Sequence, residues 1–245
     1  MAAAPSGFPL APPPFTGRSR VVEPGAGFDW LRQGWVLFGA YPGRWLGQSL
    51  LCLSVLGLAA SLPGLGVGLA LCALPFCCVG MLAACQRAAR GEAPRLDDLL
   101  TSWRARRAAL MRLGLGFCLG GALLALPHAW RVAAAPAAFG LAELGRWLGG
   151  FLLDALLVVV LSLPLAMAFC FAPALVAFQR MAPWAALKAS GAACLKNWRA
   201  FLVCGGLLAM LACVAVLSLG LGFLVLIPVA CGALHAAYRD IFVGV

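Results

Sequence analysis

Between Arg44 and Arg87 the chain runs 42 residues without a charged side chain, and between Arg199 and Arg239 it runs another 39. Two further stretches behave alike. Eighteen uncharged residues separate Arg112 from Arg131, and the 33 residues between Arg146 and Arg180 hold only Asp154. A helix needs about 20 apolar residues to cross a hydrocarbon layer ~30 Å thick. The two long runs therefore hold two crossings each, and the other two hold one apiece. Lipid offers the backbone no hydrogen-bond partner, so only helices or closed barrels cross it. Continuous apolar runs without strict alternation select helices. The expectation is an all-α polytopic transmembrane bundle of six spans, near 45–62, 65–85, 110–127, 152–175, 200–218 and 221–238. Ser61-Leu62-Pro63-Gly64 breaks the first long run, and Ser218, Gly220 and Gly222 mark the bend in the second.

Composition excludes the soluble alternative. The 245 residues are 64% hydrophobic and 11% charged, with a mean hydropathy of +0.99. A soluble domain carries about 25% charged residues. The net charge of +10 invites a nucleic-acid reading, but its distribution explains it otherwise. With six spans, sixteen basic residues fall on one side of the membrane, and Arg131 and Arg146 alone on the other. That asymmetry places both termini in the cytoplasm and residues 128–150 outside. Residues 1–27 hold six of the sixteen prolines and few large apolar side chains. They read as a disordered, solvated cytoplasmic tail before a membrane domain over 28–245.

Three segments beside the spans have amphipathic patterning. In the first, positions 31, 35 and 38, joined by 30 and 34, form one stripe. In the second, Leu96, Leu99, Leu100 and Trp103 recur at helical spacing. In the third, Trp184, Leu187, Gly191, Cys194, Leu195 and Trp198 line one side. Such helices either rest in the headgroup layer or pack on the bundle. Trp103, Arg104, Arg106, Arg107, Trp184 and Trp198 are the expected interfacial lipid contacts. Each segment precedes a hairpin, and the hairpins exit alike, at Ala84-Cys85-Gln86-Arg87, Ala177-Phe178-Gln179-Arg180 and Ala237-Tyr238-Arg239-Asp240. The reading is three parallel repeats of interfacial helix plus transmembrane hairpin.

The stretches Phe171-Ala172-Pro173-Ala174-Leu175-Val176-Ala177-Phe178 and Ala185-Ala186-Leu187-Lys188-Ala189-Ser190 carry a resemblance. So do Cys194-Leu195-Lys196-Asn197-Trp198-Arg199-Ala200-Phe201-Leu202-Val203 and the terminal Ala236-Ala237-Tyr238-Arg239-Asp240-Ile241-Phe242. Over residues 29–245 the chain resembles an uncharacterised family of proteobacterial inner-membrane proteins. The resemblance implies six helices in a bacterial inner membrane and supplies no activity or catalytic residues. The Pro-rich tail and the Ala-rich 131–140 stretch depart from it.

Chemistry-bearing residues are sparse. Ten of the eleven cysteines fall in expected spans and Cys194 in a cytoplasmic helix, so buried, small-hydrophobe roles are expected. His128 and His235 sit near opposite span ends without a second ligand at i+3 or i+4, so no metal site is expected. Nucleophile elbows, phosphate loops and paired carboxylates are missing from the sequence, so no catalytic residue, cofactor or enzymatic activity is expected. Asp154 is the one acid within an apolar run. It is either a functional intramembrane acid or an anchor at the outer interface, with Arg146 near enough to pair. Abundant glycine supports close helix packing, within the bundle or between copies. The functional expectation is a non-enzymatic accessory or scaffold protein. The alternative is a transporter or lipid-handling protein. The expected partners are membrane lipids, anionic headgroups included, with a homo-oligomer or another membrane protein, and no nucleic acid.

Overall fold

The computed structural model describes residues 19–63, 65–134 and 140–244, and within them the backbone alone at 101–105 and 141–142. Among these residues every regular element is helical: α1 Ala26–Ala40, α2 Pro42–Ala60, α3 Gly66–Ala88, α4 Asp98–Ala133, α5 Leu141–Cys170, α6 Ala172–Phe178, α7 Pro183–Lys196, α8 Trp198–Leu217 and α9 Phe223–Tyr238. A π-helical turn, Arg239–Val243, continues α9. Arg106 leaves helical geometry (φ −148°, ψ 45°) and divides α4 into a short first segment and a long second one.

Among the described residues, five stretches are long and apolar enough to cross a membrane: Gly66–Ala88, Arg106–Ala133, Glu143–Phe178, Trp198–Leu217 and Phe223–Val243. The expected span at 45–62 coincides with α2, which is outside that set. Arg44 and Gln48 in its first two turns lower its hydropathy.

Prolines and glycines set the breaks. Pro42 opens α2 directly behind Tyr41, where a missing N–H costs a helix nothing. Tyr41 Oη then donates to the Gly91 carbonyl at 2.6 Å, which ties this corner to the loop after α3. At the bend between α8 and α9, Gly220 has φ +86°, and Ser218 Oγ accepts from the Gly222 N–H at 2.9 Å. Between α5 and α6 the ladder opens at Phe171, two residues before Pro173. Ser190 of α7 fills the gap. Its Oγ accepts from the Phe171 N–H (2.9 Å) and donates to the Met167 carbonyl (2.7 Å), replacing the missing i→i−4 bond.

The three short helices bury the stripes that periodicity picks only in part. On α1 the buried positions are Gly27, Trp30, Leu31 and Gly34, whereas Trp35 is exposed. On the first part of α4, Asp98 is buried while Leu96, just before the helix, and Leu100 are exposed. On α7, Ala186, Ser190, Ala193 and Cys194 are buried, whereas Trp184 and Leu195 are exposed. In all three the packed face includes small or polar residues and leaves bulky apolar ones outside. That is how helices associate in lipid, where close backbone approach gains more than another leucine.

Gly34 and Gly232 show the closeness. A Cβ built on Gly232 would lie 2.7 Å from the Gly34 Cα, and one on Gly34 would lie 3.0 Å from the Ala233 nitrogen. Gly80 of α3 plays the same part for α4, since its Cβ would stand 2.6 Å from the Leu99 Cα. In this way α1 packs on α9, the start of α4 on α3, and α7 on α5.

Buried residues gather at the arginine-rich end: the last three turns of α3, all of α6, and the ends of α9 and its π turn. The chain before α1 belongs to this end too. The Arg20 N–H donates to the Ile241 carbonyl (3.0 Å), and Lys196 Nζ donates to the Ser19 carbonyl (2.6 Å). Asn197 Oδ1 accepts from the Val22 N–H (2.8 Å), and Asn197 Nδ2 donates to the Arg20 and Ala193 carbonyls, both at 3.0 Å. The tail expected over 1–27 is therefore corrected at its near end. Residues 19–22 are clamped by a buried amide that satisfies their backbone. Residues 1–18 lie outside the described part.

Candidate functional site

The feature that stands out at the arginine-rich end is an apolar rim that nothing in the bundle covers. Phe28, Trp35 and Val36 of α1 are exposed, as are Leu96 and Leu100 around the start of α4. Trp184 is 68% exposed and Trp198 51%. Both tryptophans carry a cation over the ring: Lys188 Nζ lies 5.2 Å from the Trp184 centroid, and the Arg199 guanidinium 5.5 Å from that of Trp198. An amphipathic ring beside a cation suits the boundary between headgroups and hydrocarbon.

Of the six expected lipid contacts, Trp184, Trp198 and Arg107 are on the exposed surface. Arg106 is not among them. It is half-buried, and its Nη1 makes long contacts to the Val176 and Met181 carbonyls (3.4 and 3.5 Å). The kink at its own backbone turns it inward, away from lipid. The side chains of Trp103 and Arg104 lie outside the described residues.

Asp154 sits at the opposite end and forms an ion pair with Arg131 of α4, across the α4–α5 hairpin. Its partner is thus not the sequence neighbour Arg146. The pair borders a cavity of about 680 Å³ lined by Leu126, Pro127, Trp130 and Trp147. The His128 ring lies tilted against Phe151, with ring centroids 4.4 Å apart.

The chain is similar to a "Probable inner membrane protein" of Burkholderia thailandensis. The two are 29% identical over 197 residues, which cover 75% of this chain and 72% of that protein. No family model matches the chain, and no solved structure matches it. The likeness agrees with the resemblance carried by residues 29–245, to inner-membrane proteins without an assigned activity. With five apolar helices long enough to cross a bilayer, it makes this a multi-pass inner-membrane protein.

Several polar residues escaped a reading guided by charge. Gln48 and Ser49 of α2 are 1% and 0% exposed, and neither side chain has a hydrogen-bond partner among the described residues. They lie on the helix that also carries Trp45 and Cys52 into a cluster with Met81, Ala84 and Cys85 of α3. Asp98, Ser190 and Asn197 are likewise buried, but each is engaged. Asp98 Oδ1 accepts from Arg87 Nε (3.2 Å), and its Oδ2 accepts from the Arg95 N–H (2.8 Å). Trp30 Nε1 donates to Asp240 Oδ2 (3.0 Å), while the other oxygen of Asp240 is paired with Arg20. A preceding or following aromatic was no guide to any of these. A polar residue inside an apolar run was the one signal available. The cysteines are all free thiols, and among the described residues no group of three or more His, Cys, Asp or Glu side chains is placed to hold a metal ion.

Proposed function

We propose that the protein is a non-enzymatic accessory or scaffold protein of the inner membrane, seated with both termini in the cytoplasm. In this reading α2 is the sixth crossing. Its 19 residues rise about 28 Å, close to the ~30 Å hydrocarbon layer, and Arg44 reaches back to the headgroups. The spans then pair as α2/α3, α4/α5–α6 and α8/α9, each behind one short helix, as three parallel repeats. Two contact patterns support that division. Each short helix packs on the last span of the preceding pair, and α1 closes the circuit by packing on α9. Each joint also has a buried polar lock: Trp30–Asp240, Asp98–Arg87, and Ser190 in the α5–α6 break.

One observation carries the functional reading. Trp35, Leu100, Trp184 and Trp198, on or beside the short helices, face outward on a surface shared with Lys188, Arg199 and Arg107, while Trp30 and Leu31 of α1 pack into the bundle. Such a face holds anionic headgroups, and it offers a docking rim to a second copy or another membrane protein. Nucleic acid is not a partner in this reading, because basic residues on the cytoplasmic side already follow from topology.

A second reading, as a transporter or lipid-handling protein, is favoured by Gln48 and Ser49. Unpartnered polar atoms inside a membrane bundle are costly and mark solute paths. Reconstitution separates the two. Liposomes holding the pure protein should scramble lipid and release small solutes no faster than empty ones. Faster scrambling or release that disappears in Gln48→Leu/Ser49→Ala would replace the scaffold reading by the second. Reporter fusions after Arg107 and within 132–145 test topology, and extracytoplasmic activity after Arg107 would overturn the six-span arrangement.

A further inference from the structure

A cavity of about 690 Å³ opens between α1, the end of α9 and Ala89 just past α3. Its size falls within the range of small-ligand sites, roughly 300–1,000 Å³. The α1 wall carries Trp30 and Leu37 together with Asp29 and Arg32, and Val36 lies at the rim, 66% exposed. The other wall, from the end of α9, carries His235 and Arg239, with Asp240 beside them.

The charges in this cavity are unevenly satisfied. Asp240 already accepts from Trp30 and pairs with Arg20. Asp29, Arg32 and Arg239, by contrast, form no salt bridge among the described residues. Asp29 and Arg32 are three residues apart on α1, hence on one face of that helix. Arg239 follows His235 by four residues and lies along the same side of the other wall. His235 is only 4% exposed, lines the cavity, and makes no hydrogen bond to the described residues. Two free guanidinium groups, one free carboxylate and an unengaged imidazole therefore converge beside an apolar rim.

We propose that this cavity binds the headgroup of a zwitterionic phospholipid of the phosphoethanolamine class. Arg32 and Arg239 hold the phosphate, for which a planar guanidinium fork is the natural partner. Asp29 takes the ammonium group, and the His235 imidazole hydrogen-bonds a phosphate or ester oxygen. Val36 gives the acyl chains an apolar exit toward the bilayer. A simple anion would leave Asp29 facing it unpaired, whereas a headgroup with both signs satisfies both walls. The inference rests on the seating of the arginine-rich end at the headgroup layer.

The test is native mass spectrometry on the delipidated full chain in detergent. It is titrated with phosphatidylethanolamine, phosphatidylglycerol and inorganic phosphate. One phosphatidylethanolamine should bind per chain, at least about tenfold more tightly than phosphatidylglycerol. Arg32→Gln/Arg239→Gln should weaken it by about tenfold or more, the equivalent of one charge-assisted contact. Asp29→Asn, a conservative change at an exposed position, should remove the preference between the two lipids while retaining phosphate-dependent binding. Arg146→Gln, exposed at the opposite end of the bundle, should change neither. Unchanged phosphatidylethanolamine binding in the double arginine variant would overturn the site. Inorganic phosphate binding as tightly as the lipid would reassign it to a free phosphate. Reporter fusions read the seating of this end independently, so a wrong topology and a wrong ligand give different results.

Discussion

The two ends of the bundle are both rich in apolar residues and pack in different ways. Residues 171–178 are all buried, although Leu152, Leu153, Leu156 and Leu157, before the α5–α6 break, are each at least 48% exposed. Half of the most apolar stretch of Phe223–Val243 is buried, against 11% for Glu143–Phe178. Leucine is plentiful at the exposed end and scarce in the core. The core is instead built on glycine, alanine, aromatic rings and a few polar residues that lock one helix to the next. In lipid a leucine gains nothing by leaving one apolar neighbour for another, so packing follows close backbone approach and hydrogen bonds. The arginine-rich end has both. The opposite end has the Arg131–Asp154 pair and a surface fitted to acyl chains.

The largest break in this contrast comes from bulk at the α1–α9 joint. Gly34→Leu drives a side chain into the α9 backbone at Val229 and Ala233. The cost should exceed the ~1–3 kcal/mol usual for overpacking, because backbone cannot move aside as a side chain does. The expected result is loss of monodisperse protein on size exclusion, and normal yield would show that α1 is not part of the core.

Asp98→Ala is the next largest. It leaves Arg87, whose side chain is 14% exposed, with only the exposed Glu92 as a partner. Breaking a buried pair costs about 3–5 kcal/mol, and Glu92 places this change at the lower end. Thermal inactivation in detergent measures it.

Ser190→Ala reopens the α5–α6 ladder. The Phe171 N–H and the Met167 carbonyl each lose a partner, at about 1–3 kcal/mol per orphaned group. Faster amide hydrogen exchange should appear at Phe171 and its neighbours. Exchange that stays at the wild-type rate would mean that the serine is incidental to the break.

Truncation at the N-terminus separates clamp from tail. Removing residues 2–18 should leave the melting temperature unchanged. Removing 2–22 should lower it measurably, through a loss of stability of about 1 kcal/mol for each lost hydrogen bond to Asn197, Lys196 and Ile241. Equal melting of the two truncations would remove the clamp from the account.

The smallest effect belongs to the opposite end. Gly149→Leu enters open space and should change stability by less than about 0.5 kcal/mol. Matched against Gly34→Leu in the same melting assay, it sharpens the contrast between the ends. A comparable loss at Gly149 would place a helix contact there.

Much of this protein is decided by its sequence alone. Charge-free runs of 42 and 39 residues dictate membrane helices, since only helices and closed barrels satisfy a lipid-exposed backbone and runs without strict alternation do not build a barrel. Pro42, Pro183 and the Ser218–Gly222 bend mark their own breaks locally, through a missing N–H or a positive φ. The three short helices were legible as helices, but which way they face was legible mainly for α1, where Trp30, Leu31 and Gly34 of the stripe are buried. Periodicity selects the bulky apolar stripe as the buried one, a rule that holds in water, where burying that stripe is the driving force. In a bilayer the contact surface is set by which small residues meet, such as Gly34 against Gly232 and Gly80 against Leu99, and that pairing is long-range. The polar locks have the same origin. Asp98, Ser190 and Asn197 are ordinary residues in the sequence, and their partners are supplied by neighbouring helices or, for Asn197, by a backbone about 175 positions away. Asp154 likewise takes a partner 23 residues distant rather than the nearer Arg146, because the α4–α5 hairpin brings Arg131 alongside it.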